Sequence, residues 1–218
     1  LTILLYLTSA AQTNQVKNSK APKLVVGITI DQMRSEYITR FWDTYQENGF
    51  KRLFQNGSYS LNAKIDIHNI RTSTVIPTIY TGTYPSEHGI VGDKWYKHIT
   101  KKEINAIEDD YYLTLGSDSK NGNVSANMLK TFTLGDALKE NSNFRSKVYS
   151  VALNANAAVL SAGHSADGVY WYDPSNGKMI SSSYYMDNFP DWVREFNNRQ
   201  LPDYYLEQKW EPLLPLSS

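Results

Sequence analysis

The sequence predicts an α/β domain, and three observations carry that prediction. Leu24 to Ile30, LVVGITI, is a continuous β-branched run of the kind found in strands covered on both faces. Lys147 to Leu153, KVYSVAL, is a second strand-like segment. Around them lie segments whose apolar residues repeat at helical spacing, and alternation of the two patterns marks the class.

The elements follow in chain order. Thr2 to Leu7 is apolar, Ser9-Ala10-Ala11 supplies small residues, and Gln12 to Lys20 is polar. Residues 1–22 therefore read as a signal-peptide remnant and linker, which implies an exported, periplasmic or secreted protein whose front end is cut. A short buried strand is the alternative. The apolar stretch falls far short of the ~20 residues needed to cross a bilayer, so no membrane span is expected.

Asp31 stands at the carboxyl end of the first strand-like run. After it the period changes: Met33, Tyr37, Ile38, Phe41 and Trp42 fall on one helical face, and Gly49 to Phe54 begins a helical piece ended by Asn56-Gly57. Ser58 to His68 reads as a strand. Arg71 to Thr74 carries too many hydroxyls for a core element and reads as a loop running into a helix over Pro77 to Thr81. Ile99 to Asn127 is polar with scattered glycine, an excursion or lid. Thr131 to Glu140, TFTLGDALKE, is an amphipathic helix. Val169 to Asp173 and Lys178 to Tyr185 form a hairpin around Pro174-Ser175-Asn176-Gly177.

Composition narrows the function classes. With 41% hydrophobic and 20% charged residues among 218, the chain has material for a core and is not a disordered segment. Lys plus Arg and Asp plus Glu both number 22, so there is no basic excess for a nucleic acid backbone, and no nucleic acid partner is expected. There is no cysteine, which excludes disulfides and thiolate metal sites; any metal must be held by Asp, Glu, His or hydroxyl oxygen. The aromatic residues between Tyr170 and Trp210 either pack or line a cleft.

The chemistry concentrates in two places. LVVGITIDQMR delivers a carboxylate at a strand end, and RTSTVIPTIYTGTYPSEHGIVGDKWY, residues 71–96, runs from hydroxyls into a helix. An acid and a hydroxyl of this kind are what hydrolases use to hold a metal against a nucleophile. At these residues the chain resembles the alkaline phosphatase superfamily, in particular the exported PafA-like phosphatases and the type I phosphodiesterase/nucleotide pyrophosphatase relatives. The resemblance extends through TLGDALK, SKVYSVALNANAAVLSAGH, and YWYD to SSSYYMDNFPDWVREFN, in the family's order.

The resemblance implies a three-layer α/β sandwich with a central, mostly parallel sheet, incomplete in this chain. Residues 23–218 are then the amino-terminal portion of the catalytic domain, with the lid-like excursion near 99–127. It implies hydrolysis of a small-molecule phosphate ester at two zinc ions through a covalent phosphothreonine. Asp31 matches a metal ligand; a helix N-cap is its alternative. Thr72 matches the nucleophile, itself a metal ligand, with Ser73 or Thr74 in its place if the register slips. Arg71 either faces the substrate or points to solvent.

Three substrate-binding positions depart from the phosphatase pattern. Asp93 stands where these enzymes carry an asparagine, and an ionised carboxylate accepts where a donor is needed. Asn154 and Asn156 replace a lysine and an arginine that clamp phosphoryl oxygens, and charge-assisted bonds are about twice as strong as neutral ones. A dianionic monoester loses most, so the substitutions shift weight toward a diester. His88 and His164 read as structural, hydrogen-bonding histidines. The remaining metal ligands of the family lie in a second half that this sequence does not include, so it reads as the front of a longer enzyme, inactive alone and with exposed core faces. A relative that binds a phosphorylated or sulfated ligand without turnover is the alternative.

Overall fold

The computed structural model describes residues 22–60 and 62–212. The expected signal-peptide remnant lies, but for Pro22, outside the described residues. The chain divides into two units at the Ala63–Lys64 junction.

In the first unit, Glu36–Arg40 forms α1, Trp42–Thr44 a 3-10 turn, Glu47–Lys51 a π turn and Arg52–Asn56 α2. Aromatic pairs hold these pieces together, with Trp42 edge-on to Phe54 and Phe54 stacked on Tyr59. The two helical pieces expected after Asp31 are both present. Leu24 to Ile30 is not a strand here: no ladder forms along it, and Leu24, Val26 and Ile28 are exposed. A parallel-type strand exists only as part of a ladder of paired backbone groups, and no ladder along these residues forms among the described residues. The same reason removes the strand expected over Ser58 to His68, of which Leu61 lies outside the described residues.

The second unit contains Thr72–Thr81 (α3), Pro85–His88 (α4), Lys94–Lys97 (β1), Lys102–Asn105 (β2), Thr114–Leu115 (β3), Leu134–Asn141 (α5), Tyr149–Ala152 (β4), Ala155–Ala162 (α6), Gly168–Asp173 (β5), Lys178–Ser182 (β6), Asp191–Asn198 (α7) and Leu201–Leu206 (α8). β1 and β2 pair as an antiparallel hairpin, and a mixed sheet runs β3-β6-β5-β4. β4 and β5 are parallel, joined through α6; the other two ladders are antiparallel. This is the α/β class that the sequence predicts.

The core lies between the sheet and the helices, around Ile76, Ile90, Leu160, Val169, Trp171 and Ile180. α6 buries Ala158, Val159, Leu160 and Ala162, and small residues let α3 pack against it. Two sequence expectations change. Arg71 to Thr74 is not a loop, because the helix already starts at Thr72 and fully buries Ser73 and Thr74. The 99–127 stretch packs into the core through buried Ala106, Ile107, Val124 and Ala126 and is closed on itself by the Glu108–Val124 bridge, so its polar composition conceals a few buried residues.

Candidate functional site

The site begins at the first turn of α3. Arg71, extended at φ −132°, is the N-cap, and Thr72, Ser73 and Thr74 are the first three helical residues. Helical phase sorts three chemically similar hydroxyls. Thr74 is consumed by structure: its hydroxyl reaches back to the Asn69 carbonyl and accepts from the Arg71 N–H at 3.1 Å. Ser73 is fully buried, and its hydroxyl has no partner among the described residues. Thr72 alone stays partly exposed, and its hydroxyl makes no hydrogen bond among the described residues.

Behind this turn, Thr78 donates to the Thr74 carbonyl at 2.7 Å and lies 3.1 Å from His88 Nε2. The Ile90 N–H donates to His88 Nδ1 at 3.2 Å, so Nε2 carries the proton that Thr78 accepts. Burial lowers the His88 pKa against the raising effect of a backbone hydrogen bond. His88 is thus a structural, neutral histidine, as its sequence context indicates.

The other substrate-site candidates fall on this unit. Arg71 is exposed and forms no ion pair among the described residues. Asp93 immediately precedes β1 and is exposed; its backbone carbonyl accepts from the Ala106 N–H at 2.9 Å. Asn154 lies two residues beyond β4 and caps α6, its side-chain oxygen accepting from the Ala157 N–H at 2.9 Å. Asn156, in the first turn of α6, has a buried Oδ1 with no partner among the described residues. The carboxyl end of a parallel strand is where open α/β sheets bind ligands, and both asparagines occupy that end of β4. Arg71 and Thr72 therefore share one helix start, and Asn154 and Asn156 share that of a helix packed on it.

Asp31 belongs to the first unit. It does not cap α1, whose N-cap is Ser35. One carboxylate oxygen accepts from the Gln32 N–H at 2.9 Å, and the second makes no hydrogen bond among the described residues. Among the described residues, no three His, Asp or Glu side chains gather where they could hold a metal. A carboxylate oxygen such as that of Asp31 is, by its donor chemistry, suited to a divalent cation. A concavity of about 260 Å³ near Lys64, Asp66, Thr83 and Tyr84 lies at the carboxyl end of α3, away from Thr72.

The comparisons with known proteins decide the family. The family described as Type I phosphodiesterase / nucleotide pyrophosphatase matches residues 25–218. The chain belongs to that family. Alkaline phosphatase PhoV of Synechococcus elongatus is 39% identical over 100% of this chain and 41% of its own length. Alkaline phosphatase PafA of Elizabethkingia meningoseptica is 39% identical over 97% of this chain and 38% of its own. The crystal structure of wild-type PafA superposes with a TM-score of 0.82 at 37% identity, covering 86% of this chain and 36% of that one. The chain spans about two fifths of the length of the curated relatives it matches.

Two acidic centres of this phosphodiesterase-family chain escape sequence reasoning. Asp173, fully buried, accepts from Ser119, Asn121, Ser175 and Asn176 and is held ionised; it fastens 117–121 to the hairpin turn. Asp136 accepts from the backbone N–H groups of Thr133, His164 and Ser165, and its Oδ2 lies 3.2 Å from His164 Nδ1. Burial opposes its charge, but hydrogen bonds from His164, Thr133 and Ser165 outweigh burial and hold it at about 2. The same hydrogen bond raises His164 against desolvation, and the Leu129 carbonyl at 3.0 Å from Nε2 completes a seat for imidazolium. The TLGD spacing signals the Asp136 cap; nothing local signals its partner 28 residues away.

A pH dependence follows. His164, raised above 6.5, contributes stability that is fully present below 6.5 and is lost as pH climbs through its raised value. Asp136, lowered from 3.8, contributes stability that is present above 3.8 and is lost as pH falls through about 2. The melting-temperature gap between the native chain and His164→Asn is expected to be widest between pH 3.8 and 6.5 and to narrow on the alkaline side. A gap that widens above neutrality contradicts the ion pair.

Proposed function

We propose that the protein is an exported, zinc-dependent hydrolase of small-molecule phosphate esters, with Thr72 as the nucleophile that becomes transiently phosphorylated. The observation that carries this reading is the partly exposed hydroxyl of Thr72, uncommitted among the described residues, beside two hydroxyls removed by burial and capping. Asp31 and Thr72 are each assigned as metal ligands on the family resemblance, and bound zinc would supply a lowered hydroxyl pKa and a counter-charge. The chain's own residues do the rest. Thr72 stands on the first turn of a ten-residue helix, whose unpaired N–H groups and dipole favour a phosphoryl anion. Arg71 adds a cation next to it.

The ester class follows from charge. Asn154 spends its side-chain oxygen capping α6, and neither it nor Asn156 brings a positive charge. A monoester carries one more negative charge than a diester, and a lost charge-assisted bond is worth about 1.5–3 kcal/mol. We therefore assign a diester as the preferred substrate. Asp93 adds an acceptor that disfavours the dianion further. The second reading, a relative that binds a phosphorylated or sulfated ligand without turnover, is favoured by Asp93, Asn154 and Asn156 together.

The test uses the full-length protein, assayed with bis-p-nitrophenyl phosphate and p-nitrophenyl phosphate before and after chelation. The expected result is a higher kcat/KM for the diester, lost with chelator and restored by zinc. Monoester preference would refute the charge argument. Inactivity of zinc-loaded protein toward both esters establishes the non-catalytic reading.

A further inference from the structure

We propose that Asn69 is a positioning residue of this site, fixing the loop that carries Asp93 against the first turn of α3. The inference rests on the reading of Thr72 and Asp93 as substrate-facing. Asn69 is joined to both sides. Its backbone carbonyl takes the Thr74 hydroxyl, which anchors the residue to the helix start. Its side-chain amide donates to the Val91 carbonyl at 2.9 Å, across 22 residues of sequence. Facing a carbonyl, that amide end must be the NH2 group, so the bond has one sense.

The joint is close-fitting. Gly92, buried between Val91 and Asp93, leaves little room for a side chain, since a β-carbon there lies tight against Asn69 Nδ2 at 3.2 Å and the Lys94 carbonyl at 3.3 Å. On its far side the loop is held once more, by the Ala106 N–H on the Asp93 carbonyl at 2.9 Å. The segment is held to α3 at two points, by His88 against Thr78 and by the Asn69 amide on Val91, and the second is the one nearest Asp93 and the first turn of the helix. Residue 93 makes no side-chain hydrogen bond among the described residues, so its placement depends on these backbone anchors. Losing the Asn69 amide leaves Asp93 attached to the hairpin and, through His88 and Ile90, to the body of α3, but without its tether beside the helix start.

A double-mutant cycle read by inorganic phosphate binding tests this, because the sign of each arm is known. Calorimetry on the zinc-loaded full-length protein is expected to show that Asp93→Asn, which removes a repelling carboxylate, tightens phosphate about tenfold. In an Asn69→Ala background the same change is expected to alter affinity less than about threefold, because residue 93 no longer faces the ligand. Asn69→Asp keeps the shape and removes the donor, and its added charge cancels in the cycle; it serves where the alanine variant fails to fold. Equal tightening in both backgrounds overturns the positioning role and leaves the assigned function standing. No tightening in the native background shows instead that Asp93 does not face phosphate, and the proposal falls with that part of the reading.

Discussion

Replacing Thr72 with alanine is expected to lower kcat/KM of the full-length protein by at least about 10³-fold, roughly 4 kcal/mol of lost transition-state stabilisation. The variant retains the helix start, the cap and every partner described for Thr74, so its unfolding midpoint should stay within about 0.5 kcal/mol of native. Thr72→Ser keeps the hydroxyl and should retain measurable turnover. Ser73→Ala separates this reading from a one-residue slip. The Ser73 hydroxyl is fully buried without a partner among the described residues, a state that costs about 1–3 kcal/mol in desolvation, so its removal should leave activity intact and stabilise the fold. Loss of turnover in Ser73→Ala with full activity in Thr72→Ala would transfer the chemistry to the neighbouring hydroxyl.

What the sequence discloses about this chain depends on whether a signal is local. The α5 cap, Thr133 with Asp136, is legible because donor and acceptor lie three residues apart and precede an apolar repeat. The β5–β6 hairpin is legible because turn residues interrupt two strand-like runs. Thr72, Ser73 and Thr74 cannot be ranked from residue type, since their difference is helical phase and the helix begins one residue after Arg71. The strand expected at Leu24 to Ile30 fails for the opposite reason: its residues are right for a buried strand, but strand formation is a property of pairs. Asn69 and the His164–Asp136 pair act over 22 and 28 residues, distances at which no periodicity or motif speaks.

Gly163→Ala is expected to destabilise the folded chain by about 3–5 kcal/mol. Gly163 ends α6 at φ +77°, ψ −150°, a region open in practice only to glycine, at a cost of about 1–3 kcal/mol for any other residue. The second cause is collision. A β-carbon at this position would run into Asp136 Oδ2 and Thr133 Oγ1, the two side chains of the α5 capping box. Neither can withdraw cheaply: Thr133 caps α5, and Asp136 is ionised, nearly fully buried and held by donors from Thr133, His164 and Ser165. Displacing them adds a lost cap, about 1 kcal/mol, to a charge deprived of its hydrogen bonds. Gly82→Ala isolates the backbone part of the effect. Gly82 ends α3 at φ +69°, yet a β-carbon there meets nothing within 4 Å, so its alanine variant should lose only about 1 kcal/mol. Denaturant midpoints for the two variants at constant m check the argument. Equal losses would mean that the capping box yields freely, which contradicts its burial and the five hydrogen bonds converging on a single carboxylate.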